Sequence, residues 1–313
     1  MQQGKDDTSD FLAKLTSGYQ GVVQNWECDR NEHLNVSFYF GRSSDQAFFM
    51  RDKLALRPEA MRATHRGTVA LEEHVRFHKE VSAGGLMIGR SAAAEMGDKT
   101  MRVYQEFRDP QHNLQACFST LIGHFDTQQR RLVPWSQETR AAFDAQRIDL
   151  PDAAQPKYLT PNGHVGGLTL DETLKAGFHR TGGAGINAWE CDQFGHMNTM
   201  FYVRRINEAA PHAWAAAGID MMNTQSSGTS SVVGEMCMSY VAELRAGDMV
   251  ETYSHMTQVT DKTILVEHRL FNAATGALSA VGRVKALCFD IATRRACAWP
   301  EATRALFDAH INR

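Results

Sequence analysis

The chain reads as an α+β protein made of two tandem copies of one domain, and three observations lead there. First, Trp26-Glu27-Cys28-Asp29 followed by His33, Asn35, Phe38 and Tyr39 recurs as Trp189-Glu190-Cys191-Asp192 followed by His196, Asn198, Phe201 and Tyr202, an offset of 163 positions (189 minus 26). Second, that offset also pairs Glu72 with Glu235, Phe77 with Tyr240, Glu80 with Glu243 and Gly84 with Gly247. Near the end the register slips by one, so that Arg131 and Trp135 match Arg295 and Trp299, as a single-residue loop insertion would cause. Third, each copy shows one helical stretch followed by a series of strand-like runs separated by turn residues, the signature of a duplicated α+β unit.

In the second copy, a short strand is expected over Gly185 to Trp189 and a helix over Thr199 to Ala217, where Ala, Arg, Glu and apolar residues recur at helical spacing. A Gly/Ser/Thr-rich stretch, Ser226 to Ser231, precedes strands at Val232 to Leu244, Met249 to Val259, Thr263 to Phe271 and Ala277 to Phe289, with turns at Gly247-Asp248 and Asn272 to Gly276. The first copy gives a strand near Gly21 to Trp26 and a helix over Val36 to Leu56. Its later strands fall near Val69 to Val81, Leu86 to Met96, Thr100 to Asp109 and Leu114 to Phe125, with turns at Ala83-Gly84-Gly85, Gly97-Asp98 and Asp109-Pro110. Ser136 to Arg147 looks helical, and Ile148 to Thr173 is interrupted by Pro and Gly. The expected organisation is therefore a first domain over 1–147, a linker over 148–175 and a second domain over 176–313. One helix can cover one face of each antiparallel sheet, and a chain holding both copies can fold into what would otherwise be a homodimer.

Composition narrows the partners. With 313 residues, 43% hydrophobic and 22% charged, each copy can bury its own core. Lys+Arg 33 against Asp+Glu 36 leaves a net charge of −3, so no basic field exists to hold a nucleic-acid backbone. The first nineteen residues carry acids early and no continuous apolar core, which fits neither a secretory signal nor a membrane helix, and a cytoplasmic protein is the default expectation. Six cysteines are too sparse for a disulfide scaffold and lack the paired short spacings of a zinc site. Cys28 and Cys191 lie inside the motif, where a small strand residue is the plainer reading.

The motif sits at a strand-to-helix junction. Asn198 is a favoured N-cap, so the helix is expected to begin at Thr199, and its first N–H groups, lacking internal partners at the positive end of the dipole, are ready anion donors. A carbonyl oxygen placed there would be polarised as in an oxyanion hole. Asp192 lies six positions before the cap and can face the same spot; Asp29, Asn35 and Val36 hold the equivalent places in the first copy. His196 and His33 either orient the carboxylate, position a water or contact the acyl carbonyl, or simply bond to the turn backbone. For the carboxylates the plain alternative is an Asx-type cap of the turn. No metal is expected, because Glu190, Asp192 and His196 match no familiar zinc spacing. Tyr202 and Tyr39, on the first helical turn, suit core packing or pocket lining, while Glu235 and Glu72, inside apolar strands, either point to solvent on the alternate face or enter an expected cleft between the copies, where they would bind substrate. Met221-Met222 and Met236/Met238 fit a core or a flexible acyl tunnel.

Strand, Trp-x-Cys-Asp-x-x-Gly-His-Met-Asn-x-x-x-Tyr, helix and then Arg-x-Gly-Asp resembles the hotdog-fold acyl-CoA thioesterases of the 4-hydroxybenzoyl-CoA thioesterase type, and the whole chain resembles a tandem, double-hotdog member. The resemblance covers about Gly21 to Trp135 and Gly185 to Trp299. It implies a long helix wrapped by a curved antiparallel sheet in each unit, with active sites at a shared interface. By the same resemblance the catalytic Asp falls on Asp192 and Asp29, and the oxyanion donor on the backbone N–H of Thr199 and Val36. The first copy departs from the pattern, with Glu32 in place of Gly195 and Leu34 in place of Met197. Loss of a turn glycine and an added carboxylate favour the second copy as the more active site.

The function expected is hydrolysis of an acyl-CoA thioester, with Asp as nucleophile or general base and no cofactor beyond the CoA ester itself. Arg204, Arg205, Arg245 and Arg283 are candidates for CoA phosphate contacts. Two rivals stand beside this reading: an enoyl-thioester hydratase or dehydratase, and a non-catalytic acyl-CoA-binding protein. Further self-association into a homo-oligomer of double units fits an exposed sheet edge or face.

Overall fold

A computed structural model describes residues 10–160, 165–220 and 228–311, and the chain divides into two compact units, Met1–Pro156 and Lys157–Arg313. Met221 and Met222, and the start of the Ser226 to Ser231 stretch, lie outside the described residues.

The first unit holds strands β1 (Thr16–Val22), β2 (Arg66–Phe77), β3 (Leu86–Met96), β4 (Thr100–Arg108), β5 (Leu114–Asp126) and the short β6 (Arg131–Leu132), with helices α1 (Val36–Lys53), α2 (Pro58–Ala63) and α3 (Gln137–Asp144). Its sheet is antiparallel in the order β1-β3-β4-β5-β2. The second unit repeats the plan with helices α4 (Leu170–Lys175), α5 (Thr199–Ala216) and α6 (Glu301–Ile311), and strands β7 (His179–Gly185), β8 (Thr229–Tyr240), β9 (Met249–Val259), β10 (Thr263–Asn272), β11 (Leu278–Asp290) and the short β12 (Arg295–Ala296). There the order is β7-β9-β10-β11-β8, again antiparallel. Each unit is thus a hotdog domain, an α+β arrangement in which one long helix lies on one sheet face. No helix among the described residues is long and apolar enough to cross a membrane.

The way each helix meets its sheet differs between the copies. In α1 the buried side is strongly polar: Gln46 accepts from the Tyr19 N–H at 2.7 Å and donates to Ser91 Oγ at 2.8 Å, while Gln105 Nε2 donates to the Ser43 carbonyl at 2.9 Å. Aromatic edges complete it, Phe40 against Phe118 and Tyr39 against Phe77. In α5 the same side carries Val203, Ile206, Ala209 and Ala213, and Ile206 comes so close to β11 that a Cβ on Gly282 would meet its Cδ1 at 2.3 Å. The polar remnant in this unit is a chain in which Thr181 Oγ1 meets Ser254 Oγ at 2.6 Å and Ser254 Oγ meets His268 Nδ1 at 2.7 Å. Buried polar groups cost stability unless they are bonded, and these are.

The one-residue slip has a location. Glu72 opposes Leu121, whereas Glu235 opposes Lys285, so the extra residue enters the turn between β10 and β11, where Asn272 to Ala277 replaces the shorter Asp109 to Asn113. The expected linker, 148–175, is packed rather than loose. Ile148 and Ala154 join a core cluster with Leu15, Tyr104 and Cys117 in the first unit. On the other side of the division Val165, Leu168 and Leu170 cover Phe178, Tyr253 and Phe271.

Two early strands correct the sequence expectation. Strand pairing ends at Val22 and Gly185, and Asn25–Glu27 and Ala188–Glu190 form single 3-10 turns instead of continuing extended. In each, the Glu at the end of the turn bonds back to the backbone N–H of the residue before it, Gln24 or Asn187. The edge strands also begin earlier than expected, at Thr16 and His179; in β1 the helix packs onto a glycine, where a Cβ on Gly18 would stand 2.2 Å from the Phe49 ring.

Burial drives the His268 imidazole down to about 3 from its ordinary 6.5. The folded state therefore refuses a proton that the unfolded chain accepts, so stability is full above about pH 6.5 and falls as pH drops towards 3. Urea midpoints followed from pH 7.5 to 4.5 should decline more steeply for the native chain than for His268→Gln; parallel slopes would reject the assignment.

Candidate functional site

In each copy the site is a five-residue loop closed by one β-bridge onto the start of the long helix. Cys28 bridges Leu34, with Asp29 N–H donating to the His33 carbonyl at 2.9 Å and Asn35 N–H to the Glu27 carbonyl at 3.0 Å. Cys191 bridges Met197 through the equivalent bonds, Asp192 to His196 at 2.7 Å and Asn198 to Glu190 at 2.9 Å. A second strand of support comes from the end of the sheet, where Leu34 N–H donates to Val81 and Met197 N–H to Leu244, both at 2.7 Å.

The loops differ at the position where Glu32 replaces Gly195. Glu32 has φ 63° and Gly195 φ 77°, so both adopt the left-handed conformation and the turn is the same. Losing the glycine has not changed the backbone; it has only imposed the roughly 1–2 kcal/mol that an L side chain pays there. The conformational argument for preferring the second copy therefore falls away.

Helix starts follow the expectation. Asn35 Oδ1 accepts from Ser37 N–H and Asn198 Oδ1 from Met200 N–H, both at 3.0 Å. The next amides, Phe38 and Phe201, donate to the Asn35 and Asn198 carbonyls. That leaves the Val36 and Thr199 N–H groups without a partner among the described residues, at the positive end of an 18-residue helix.

Both carboxylates make the Asx bond: Asp29 Oδ1 accepts from Asn31 N–H and Asp192 Oδ1 from Phe194 N–H, each at 2.8 Å. Asp192 Oδ1 also takes the His196 N–H at 3.2 Å. In neither copy does Oδ2 have a partner among the described residues, so capping the turn occupies half of each carboxylate. His33 lies between two acids, its Nδ1 3.2 Å from Asp29 Oδ1 and its Nε2 3.5 Å from Glu80 Oε1. The first is a close charge contact rather than an aligned hydrogen bond. His196 Nε2 stands 3.1 Å from Glu243 Oε2, and the Arg245 guanidinium approaches the same carboxylate at 3.3 Å. Ser82 holds the place of Arg245 in the first copy.

Glu80 and Glu243 were visible as a matched pair in the repeat, yet nothing in the sequence tied them to the histidines. The link is made by the strand ends, where His78 and Lys79 N–H share the Gln115 carbonyl, and Val241 and Ala242 share that of Ser279, so the chain leaves the sheet just before each Glu. A second unforeseen pair is Glu27 with Arg42 and Glu190 with Arg205. Arg42 Nη2 lies 2.7 Å from Glu27 Oε2, and Arg205 Nη2 lies 2.7 Å from Glu190 Oε1, all four residues being buried. Burial pushes the Glu190 carboxyl up, but the Asn187 N–H and then the Arg205 charge outweigh it and hold the group below its ordinary range. Applying the repeat offset to Arg42 returns Arg205, a signal available in the sequence but unused.

Other expected site residues land elsewhere. Arg205 is committed to Glu190 and is no surface phosphate ligand, and Arg204 pairs with Glu208 at 2.9 Å. Arg283 donates to the Thr160 carbonyl. Tyr39 and Tyr202 are core residues; Tyr202 packs on Tyr240 and accepts the Leu244 N–H at 3.2 Å, and burial raises the pKa of both phenols. Glu72 and Glu235 point to no solvent. Glu72 lies 3.6 Å from Arg102 Nη1, and Glu235, 1% exposed, uses both oxygens to accept the backbone N–H groups of Lys157, Tyr158 and Leu159. Met236 and Met238 are buried. Among the described residues no three His, Cys, Asp or Glu side chains are grouped to hold a metal ion. Trp26 and Trp189 are each 72% exposed beside the loops.

Breaking the Glu190–Arg205 pair on one side should cost about 3–5 kcal/mol, since it strands a buried carboxylate. Urea unfolding of Arg205→Met should show that loss, and Arg205→Met combined with Glu190→Leu should regain most of it. A single variant as stable as the native chain would show that the pair does not hold the loop.

Comparison with known proteins agrees with this architecture. The sequence matches the thioesterase-like superfamily over residues 22–143 and again over 186–307. No curated protein sequence matches. Among solved structures, a candidate oleoyl thioesterase from Lactobacillus plantarum is 13% identical, with TM-score 0.66, covering 92% of this chain and 97% of its own. An acyl-ACP thioesterase from Bacteroides thetaiotaomicron is 12% identical, with TM-score 0.65 and coverage of 88% and 98%. The 12:0-ACP thioesterase from Umbellularia californica is 12% identical, with TM-score 0.64 and coverage of 87% and 97%. At these identities the likeness shows a shared fold, while the two sequence matches together span most of the chain. The chain belongs to the thioesterase-like superfamily, as a tandem of two of its domains.

Proposed function

We propose that the chain hydrolyses acyl-CoA thioesters to the free acid and CoA, using Asp29 and Asp192 as nucleophile or general base. The observation that carries this is the same in both copies: a carboxylate with one oxygen unengaged sits on a loop closed directly onto a helix start whose first amide is unengaged. In this reading the thioester oxygen takes the Val36 or Thr199 N–H, which gains strength as negative charge develops on that oxygen. The Asp then either attacks the carbonyl, giving a mixed anhydride that water resolves, or removes a proton from an attacking water. His33, set between the Asp29 and Glu80 carboxylates, and His196, held at Nε2 by Glu243, orient the Asp or hold the water.

With the turn conformation shared, both copies are proposed as sites. The second differs electrostatically, because Arg245 supplies a cation beside the Glu243 carboxylate. Its side chain is 56% exposed, open to a substrate phosphate or carboxylate, whereas Arg205 is buried against Glu190, Arg204 pairs with Glu208 and Arg283 donates to the Thr160 carbonyl. The carrier is proposed as CoA. Two of the full-length structural neighbours are acyl-ACP thioesterases, so both carriers belong in the assay.

Thiol release should be measured over short, branched, aromatic and long-chain acyl-CoA and acyl-ACP esters, beside loss of enoyl absorbance. Hydrolysis predicts free thiol and no hydration. Asp29→Asn and Asp192→Asn should each lower turnover, and the double variant should lose at least about a hundredfold with the fold intact. A double variant of near-native activity rejects the assignment, and stoichiometric binding without thiol release would mark a non-catalytic binding protein.

A further inference from the structure

We propose that Cys288 and Cys297 form a reversible disulfide, making the β11–β12 hairpin a thiol-oxidation site. Their Sγ atoms lie 3.5 Å apart as free thiols. They are neighbours on the hairpin ladder, one step beyond the pair Phe289 and Ala296, and Cys297 N–H donates to the Cys288 carbonyl at 3.0 Å. Facing positions on an antiparallel pair set Cα atoms about 5.5 Å apart, inside the range a disulfide spans. The sulfurs need close only to about 2.05 Å, which side-chain rotation supplies.

The fold does not require cysteine there. Shifted by the one-residue slip, the equivalent pair in the first copy is His124 and Val133, joined by the same backbone bond at 2.8 Å. There the His124 ring stacks on Trp135 with centroids 4.8 Å apart. In the second copy both positions have become cysteine and the two sulfurs are in contact.

Exposure sets the order of events. Cys288 is fully buried and Cys297 half-buried, and burial, then the adjoining Cys297 thiol, push Cys288 up to about 12. Cys297 is therefore the attacking thiol. Its thiolate attacks one sulfur of a low-molecular-weight disulfide, RSSR, and expels RS⁻, giving the mixed disulfide at Cys297. Cys288, losing its proton, attacks Cys297 Sγ and expels the second RS⁻, which leaves as RSH. Two protein thiols are oxidised and one RSSR is reduced to two RSH. The bond pins the segment leading to Trp299 and α6, whose Phe307 packs with Trp214 and Trp299 in one core cluster. Closing it constrains the unfolded chain and stabilises that end of the unit.

The test is to equilibrate the full chain with glutathione disulfide and glutathione at a series of ratios, alkylate the remaining thiols and map the peptides. The expected result is a Cys288–Cys297 cystine that reverts on adding dithiothreitol, with a thermal midpoint raised by several degrees. Cys288→Ser should stop at the glutathione mixed disulfide on Cys297. The proposal is overturned if both cysteines stay alkylatable at every ratio, if the mapped cystine joins other residues, or if it appears only after denaturation.

Discussion

A buried glutamate–arginine pair sets the geometry on which each copy depends. Glu27 and Glu190 end a 3-10 turn just before the Asp loop, while Arg42 and Arg205 sit on the second turn of the long helix, so each pair ties the entry of the loop to the helix. A buried ion pair repays its desolvation only when its remaining hydrogen-bonding capacity is also satisfied. Here the Gln24 and Asn187 N–H groups take up carboxylate oxygens and Arg42 also donates to the Phe38 carbonyl, while the buried Nε of Arg42 and of Arg205 has no hydrogen-bond partner among the described residues, so the satisfaction is partial. With the turn fixed on one side and the β-bridge on the other, the Asp loop has little freedom to move relative to the helix start. Such pre-positioning is what an electrostatic site for a developing oxyanion requires.

Motif residues consequently divide into two kinds. Glu27, Arg42, Cys28, Leu34 and Tyr39, with Glu190, Arg205, Cys191, Met197 and Tyr202, build the scaffold, and their side chains are buried or half-buried. Asp29, His33 and the Val36 amide, with Asp192, His196 and the Thr199 amide, retain unused chemical capacity or face a second carboxylate. The copies have diverged around this shared centre, one carrying Ser82 and a strained Glu32, the other Arg245 and a relaxed Gly195. The helix undersides have diverged too, polar in one and aliphatic in the other.

Much of this was legible in the sequence because it rests on local rules. The duplication follows from subtraction of positions, both helix starts follow from Asn at the cap, and strands Leu86–Met96 and Met249–Val259 fall where alternation and flanking glycines place them. Long-range contacts were not legible. Strand alternation gives no sign that Glu235 turns inward to hold the amides of residues 157–159, because its partners lie nearly eighty positions away. Nor does a glutamate in place of a glycine announce whether the backbone changes or the side chain tolerates strain; Glu32 tolerates it. The 3-10 turns are not legible as such because the bond from Glu27 or Glu190 back to the backbone N–H of Gln24 or Asn187 is a side-chain contact that strand patterning does not register.

The most direct measurement is a crystal structure with a non-hydrolysable ketone analogue of an acyl-CoA bound, in which a methylene replaces the thioester sulfur and the carbonyl is kept. The account predicts the analogue's carbonyl oxygen at hydrogen-bond distance, about 3 Å, from the Val36 or Thr199 N–H, with the Asp29 or Asp192 carboxylate facing the carbonyl carbon. An analogue seated with its carbonyl remote from both helix starts, or with the carboxylates turned away from it, would contradict the account.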